Sequence, residues 1–164
     1  MATTDVSDGS GVRRGIRFIS RSSNRAMIRG YVQRNTKGME NYHSAALRHY
    51  NDAEILRDVD RLDNAGHLIG FAAECAIKHR IRTLPTSTNS PHGHFPDLLT
   101  IARKHLGARG NYTGMYELIK QDILIAWNVN RRYRETGHTT RPEIDEWFAC
   151  AKRLLASAQI RERK

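Results

Sequence analysis

The chain has 164 residues, 39% of them hydrophobic and 27% charged, with a net charge of +10 at neutral pH. That length supports one domain with a sizeable core, and no apolar run approaches the ~18 residues of a membrane span. The charge is uneven: residues 1–38 carry +6 and the rest only +4, so the high pI by itself is no argument for nucleic-acid binding.

The first 38 residues, "MATTDVSDGSGVRRGIRFISRSSNRAMIRGYVQRNTKG", are polar, rich in Ser, Gly and Arg, and without a sustained period. No continuous apolar stretch marks a secretory signal, and Asp5 and Asp8 argue against a transit peptide. The segment reads as a basic leader unable to bury enough apolar surface to order itself, or as the result of a start assigned too early, with Met39 the true beginning. A basic arm that touches RNA backbone is a further reading. A single domain is expected over 39–164.

From Met39 onward the pattern is helical. "ENYHSAALRHYNDAEILRDVDRL" sets Ala45, Ala46, Tyr50, Ala53 and Leu56/Val59 at three-and-four spacing, as an amphipathic helix does. Asp63 or Asn64 is expected to cap a second helix running to about Arg82. In it Ala65, Gly66, Gly70, Ala72, Ala73 and Ala76 are small enough for a neighbouring helix to approach closely. "TLPTSTNSPHGHF" is a loop by its Pro and Gly content. Pro96 starts a short third helix, "PDLLTIARKHL", which stops at Gly107, and "GARGNYTG" is a second loop. A fourth helix is expected over "MYELIKQDILIAWNVNRRY". Thr140-Arg141-Pro142-Glu143 has the form of a capping box opening the last one. The fold class expected is all-α, an up-and-down bundle of about five helices with no strand.

Glu74, inside the apolar run "HLIGFAAECAIKHRI", has a local explanation in Lys78. Four residues on, in the favourable order, that lysine contributes ~0.2–0.5 kcal/mol. On the expected fourth helix, Gln121, Asn128 and Arg132 share a face, so an Asn and an Arg one turn apart can address one phosphate or carboxylate. His138 follows after Gly137, in a turn able to fold back toward the helix end. An arginine and an imidazole are a minimal kit for phosphodiester cleavage: one holds the phosphate, the other moves the proton. The bland alternative is that Arg131, Arg132 and Arg134 only complement a helix dipole and that His138 is a solvated turn residue. His92 and His94 are too few for a metal site, and no phosphate loop or nucleophile elbow is present. Cys75 and Cys150 read as reduced, buried thiols of a cytoplasmic protein.

Taken together, "LDNAGHLIGFAAECAIKHRI", "HGHFPDLL" and "AWNVNRRYRETGH" resemble the HEPN superfamily (higher eukaryote and prokaryote nucleotide-binding domains), over about Glu40 to Ala158. The resemblance implies a HEPN-like helical bundle, commonly a homodimer, and in many members a metal-independent RNA endonuclease of toxin or phage-defence type. The family's Arg, four to six residues, His signature fits Arg132 to His138 with five residues between, or Arg131 to His138 with six. The family's polar residue after the arginine is met by Arg131 and not by Arg132, which Tyr133 follows. Glu74 matches the family's helix-two carboxylate, which lies near the pair. The implied chemistry is attack by a ribose 2′-hydroxyl, giving a 2′,3′-cyclic phosphate and a 5′-hydroxyl, on single-stranded RNA, with no cofactor or metal. The resemblance equally allows a non-catalytic interaction or nucleotide-binding module, often beside a nucleotidyltransferase partner. A purely structural dimerisation domain is a third reading.

Overall fold

A computed structural model of the protein describes residues 40–84, 91–107 and 113–161, all within the unit Glu40–Lys164. The leader expected over 1–38 lies outside the described residues, as do 85–90 and 108–112 of the two expected loops. Among the described residues there are five α-helices and one 3-10 turn: α1 (Tyr42–Asp58), α2 (Leu62–Arg82), α3 (Asp97–Gly107), α4 (Thr113–Lys120), the 3-10 turn (Val129–Tyr133) and α5 (Arg141–Ser157). No strand occurs among the described residues, and no helix there is long and apolar enough to cross a membrane.

α1 begins at Asn41, whose side chain accepts from the backbone N–H of Ser44 at 3.0 Å; this satisfies one of the donors a helix start leaves orphaned. It buries Ala46 and Ala53 completely, whereas Val59, expected on the same stripe, lies past the helix end and is 63% exposed. The short turn after α1 brings α2 back along it. α2 is the central helix, running along α1 and against α5 and touching α3 and the 3-10 turn. Its residue before the first turn is Arg61, with no side-chain cap. Asp63 and Asn64, expected as caps, instead lie inside the helix.

The small residues of α2 do two jobs. Ala65, Ala72, Ala73 and Ala76 are fully buried, as a close-packed helix face requires. Gly66 and Gly70 receive indole rings instead of a helix backbone. A Cβ on Gly70 would sit 1.8 Å from Trp127, and one on Gly66 2.8 Å from Trp147. Trp127 also donates its Nε1–H to the carbonyl of Gly66 at 2.7 Å, so the buried indole has its polar partner.

The capping box at α5 is present. Thr140 accepts from Glu143 N, and Glu143 accepts from Thr140 N at 2.8 Å. From there Ile144, Trp147, Phe148, Ala151, Leu154 and Leu155 turn one face into the core. The expected fourth helix is corrected: α4 ends at Lys120. Leu124 and Ala126 then adopt positive φ, 51° and 69°, a conformation costing ~1–2 kcal/mol per residue. The break lets Leu124 and Trp127 enter the core, 5% and 4% exposed. Burying them is worth ~1.5–3 kcal/mol for each side chain, enough to outweigh continued helix.

Candidate functional site

Because residues 121–128 are not helical, Gln121, Asn128 and Arg132 do not share a helix face. Asn128 caps the 3-10 turn, its side chain accepting from Asn130 N at 3.0 Å. That turn sends successive arginines in different directions.

Arg131 points inward and is only 7% exposed. Its guanidinium donates to the Ala126 carbonyl at 3.1 Å and to Thr139 Oγ1 at 2.9 Å, and lies 4.6 Å from the centre of the Trp147 ring. Burial lowers its pKa, and the carboxylates of Glu143 and Asp63 pull it back up. A guanidinium so engaged stitches the 3-10 turn to the start of α5. Arg132 faces solvent, over the ring of Tyr133 at 4.8 Å. Arg134 is exposed too, and its guanidinium donates to Nε2 of His138.

The turn that presents His138 is built, not loose. Gly137 takes φ +85°, a left-handed position that glycine enters at no steric cost. On either side of His138 a backbone N–H donates to the Asp63 carboxylate: Gly137 N to Oδ2 at 2.6 Å and Thr139 N to Oδ1 at 2.8 Å. These bonds and the nearby Arg131 charge hold the Asp63 carboxyl below its usual range, against the opposing effect of burial. Thr139 is in turn held by Arg131, and Thr140 caps α5. Beside this turn lies an open cleft of about 430 Å³, lined by Arg61, Asp63, Asn64, Thr136, Gly137 and Thr139 among others.

Glu74 belongs to a different neighbourhood. It is 1% exposed. Its Oε2 accepts from His94 Nδ1 at 2.8 Å, its Oε1 accepts from the backbone N–H of Phe95 at 2.8 Å, and Lys78 approaches to 3.9 Å. Arg131, Arg132 and His138 are not among its partners. The Lys78 pairing expected from spacing is there, but the shorter contacts go to the segment leading into α3.

The structure therefore brings together Arg134 and His138, and joins Arg131 to the same turn through Thr139. Sequence reasoning missed Arg134, Asp63 and Thr139 as parts of this site. Arg134, four residues before His138, was visible in the quoted motif; nothing in the sequence links Asp63 to residues 74 and 76 positions away. Among the described residues no three or more His, Cys, Asp or Glu side chains group as a metal site. Cys75 and Cys150 are unbridged, and burial raises the pKa of both thiols, that of Cys75 to about 11. No family model, no curated protein and no solved structure matches the chain.

Proposed function

We propose that this protein is a HEPN-type RNA endonuclease of toxin or phage-defence type, working in the cytoplasm as a homodimer and without a metal. The observation that carries the reading is His138: a solvent-facing imidazole on a turn locked from both sides by Asp63, with exposed guanidinia at Arg132 and Arg134. An imidazole on a held turn beside exposed cations suits in-line displacement at phosphorus. The 2′-oxygen attacks, the P–O5′ bond breaks, and a 2′,3′-cyclic phosphate and a 5′-hydroxyl result. His138 takes the 2′-hydroxyl proton or protonates the departing 5′-oxygen. Arg132, with Arg134, holds the phosphate, and a second copy supplies the facing pair. Arg131, buried and doubly hydrogen-bonded, serves the turn rather than the phosphate.

The burial of Arg131 and the engagement of Glu74 in the fold favour a second reading, a non-catalytic HEPN module that binds nucleotide or a nucleotidyltransferase partner. The test is incubation of the purified chain and its His138→Ala variant with tRNA and single-stranded RNA in chelator. Cleavage with cyclic-phosphate ends that the substitution abolishes supports the nuclease; no cleavage, or equal cleavage, leaves the binding module.

A further inference from the structure

A second set of side chains is gathered on the flank of α2, around Phe71. His67 stands one helical turn before it and Cys75 one turn after, a stripe on the order of 12 Å long at 1.5 Å per residue. Four rings surround Phe71: His67 at 4.6 Å between centroids, His49 of α1 at 5.7 Å, Trp127 at 5.8 Å and His94 at 6.1 Å. His67 also stacks on Trp127, nearly parallel, at 6.3 Å. Trp127 is the buried floor; Phe71, His49 and His67 are half-buried, and His94 is exposed.

Two features set this cluster apart from ordinary core. The Nδ1 atoms of both His49 and His67 are buried without a hydrogen-bond partner, a state that buried polar atoms rarely keep without a reason. Burial also lowers the pKa of both imidazoles, so at neutral pH they present uncharged π-faces. The edges are cationic. Exposed Arg132 acts electrostatically on His67, and exposed Arg48 on His49 and on Cys75. Asp52 acts on His49 with the opposite sign, while Glu74 is turned inside and fully engaged. The Cys75 thiol, with its raised pKa, offers no thiolate for covalent chemistry.

Part-exposed rings with guanidinia near enough to act on them are what unpaired nucleic acid seeks: faces for its bases and charges for its backbone. We propose that the ring cluster around Phe71 is a stacking surface for single-stranded RNA, with Arg48 and Arg132 holding phosphates at its edges. The proposal rests on the RNA-directed reading above and extends it, since Arg132 belongs to both places. RNA leaving His138 past Arg132 then runs onto His67 and Phe71. Duplex RNA, whose bases are already stacked on one another, has nothing to place there.

The test uses the full chain carrying His138→Ala, so that RNA survives, in fluorescence anisotropy with a labelled oligouridylate and with a duplex of equal length. Phe71→Leu is expected to weaken the single strand roughly tenfold, in line with one lost stacking contact, and to leave the duplex unchanged. Arg48→Gln is expected to lower the salt slope by about one unit. Should Phe71→Leu fail to fold, oligonucleotides bearing 4-thiouridine, photocrosslinked to the wild-type chain in chelator, give a second measure, with adducts expected on the α2 peptide. Unchanged affinity in a folded Phe71→Leu, adducts elsewhere, or a change only in sedimentation mass, which would make this face a contact between copies, overturns the proposal. No cleavage by the chain with His138 intact, with stacking preserved, would sink the nuclease reading alone; cleavage by that chain together with affinity unaltered in Phe71→Leu would sink the stacking surface alone.

Discussion

Glu74 and His94 face each other at 2.8 Å across the junction of α2 and the segment entering α3. The same carboxylate receives the Phe95 N–H, so one buried side chain anchors a whole connection. Glu74→Ala leaves that amide and the imidazole unmatched, and is expected to cost about 2–3 kcal/mol in urea denaturation. Glu74→Gln keeps an acceptor and should cost about half as much. A Gln variant as damaging as the Ala variant would show that the negative charge, beside Lys78, matters more than the acceptor geometry.

Gly70→Ala is expected to destabilise more than Gly66→Ala. The added methyl meets Trp127 at 1.8 Å in the first and Trp147 at 2.8 Å in the second. Overpacking of this kind costs about 1–3 kcal/mol, and displacing Trp127 also endangers its bond to the Gly66 carbonyl. Thermal unfolding ranks the two variants, and a red-shifted tryptophan emission in Gly70→Ala reports the expelled indole.

On the proposed nuclease reading, Asp63→Ala is expected to remove RNA cleavage as thoroughly as His138→Ala while shifting the unfolding midpoint little, about 1 kcal/mol for two part-exposed hydrogen bonds. Asp63→Asn retains one acceptor oxygen and should recover part of the activity. Full cleavage by the Asp63→Ala variant would mean that the turn holds its shape without the clamp.

Acidification should weaken the fold in two stages. Burial sets the folded-state pKa of His49, His67 and His79 below the ordinary 6.5. The unfolded chain therefore binds protons more readily, and stability falls as pH drops below about 6.5 toward the folded-state values, then levels. Asp63 and Glu143 have lowered carboxyl pKa values; their contribution is present above the ordinary range near 4 and is lost only as pH falls through the folded-state values. Urea midpoints at pH 7.5, 6.5, 5.5 and 3 test this, and His67→Phe should flatten the upper stage.

Thr140→Ala breaks the reciprocal capping of α5 and is expected to cost about 1 kcal/mol, read by chemical denaturation. Glu143→Gln, which can still accept, should cost less.

Much of the helical scaffold was legible because its signals are local. Apolar period marks α1, α2, α3 and α5, and the Thr140–Glu143 box marks where α5 starts. The expected fourth helix failed at Gln121 because the deciding force is remote. A slot at Gly66 and Gly70, some sixty positions earlier, draws Trp127 in and bends Leu124 and Ala126 into left-handed backbone. In the sequence those two glycines four residues apart suggest a surface for a helix and not for an indole. At the site, His138 stood out as an isolated imidazole beyond a glycine. Which arginine meets it depends on the 3-10 path, which turns Arg131 inward and Arg134 toward the ring. Glu74's tie to His94 links the quoted segments "ECAIKHRI" and "HGHF", yet periodicity within either one carries no trace of it.

The grip of Asp63 on the peptide groups flanking His138 joins points 74 and 76 positions apart along the chain. An excised fragment from Val129 to Ser157 would keep every candidate arginine and the histidine yet lack the strut that aims them. Whatever loosens the opening turn of α2, whether a partner, a modification or heat, would slacken the imidazole's support well before the alanine-lined interior gave way. A protein wired so can lose the aim of that imidazole while still looking folded.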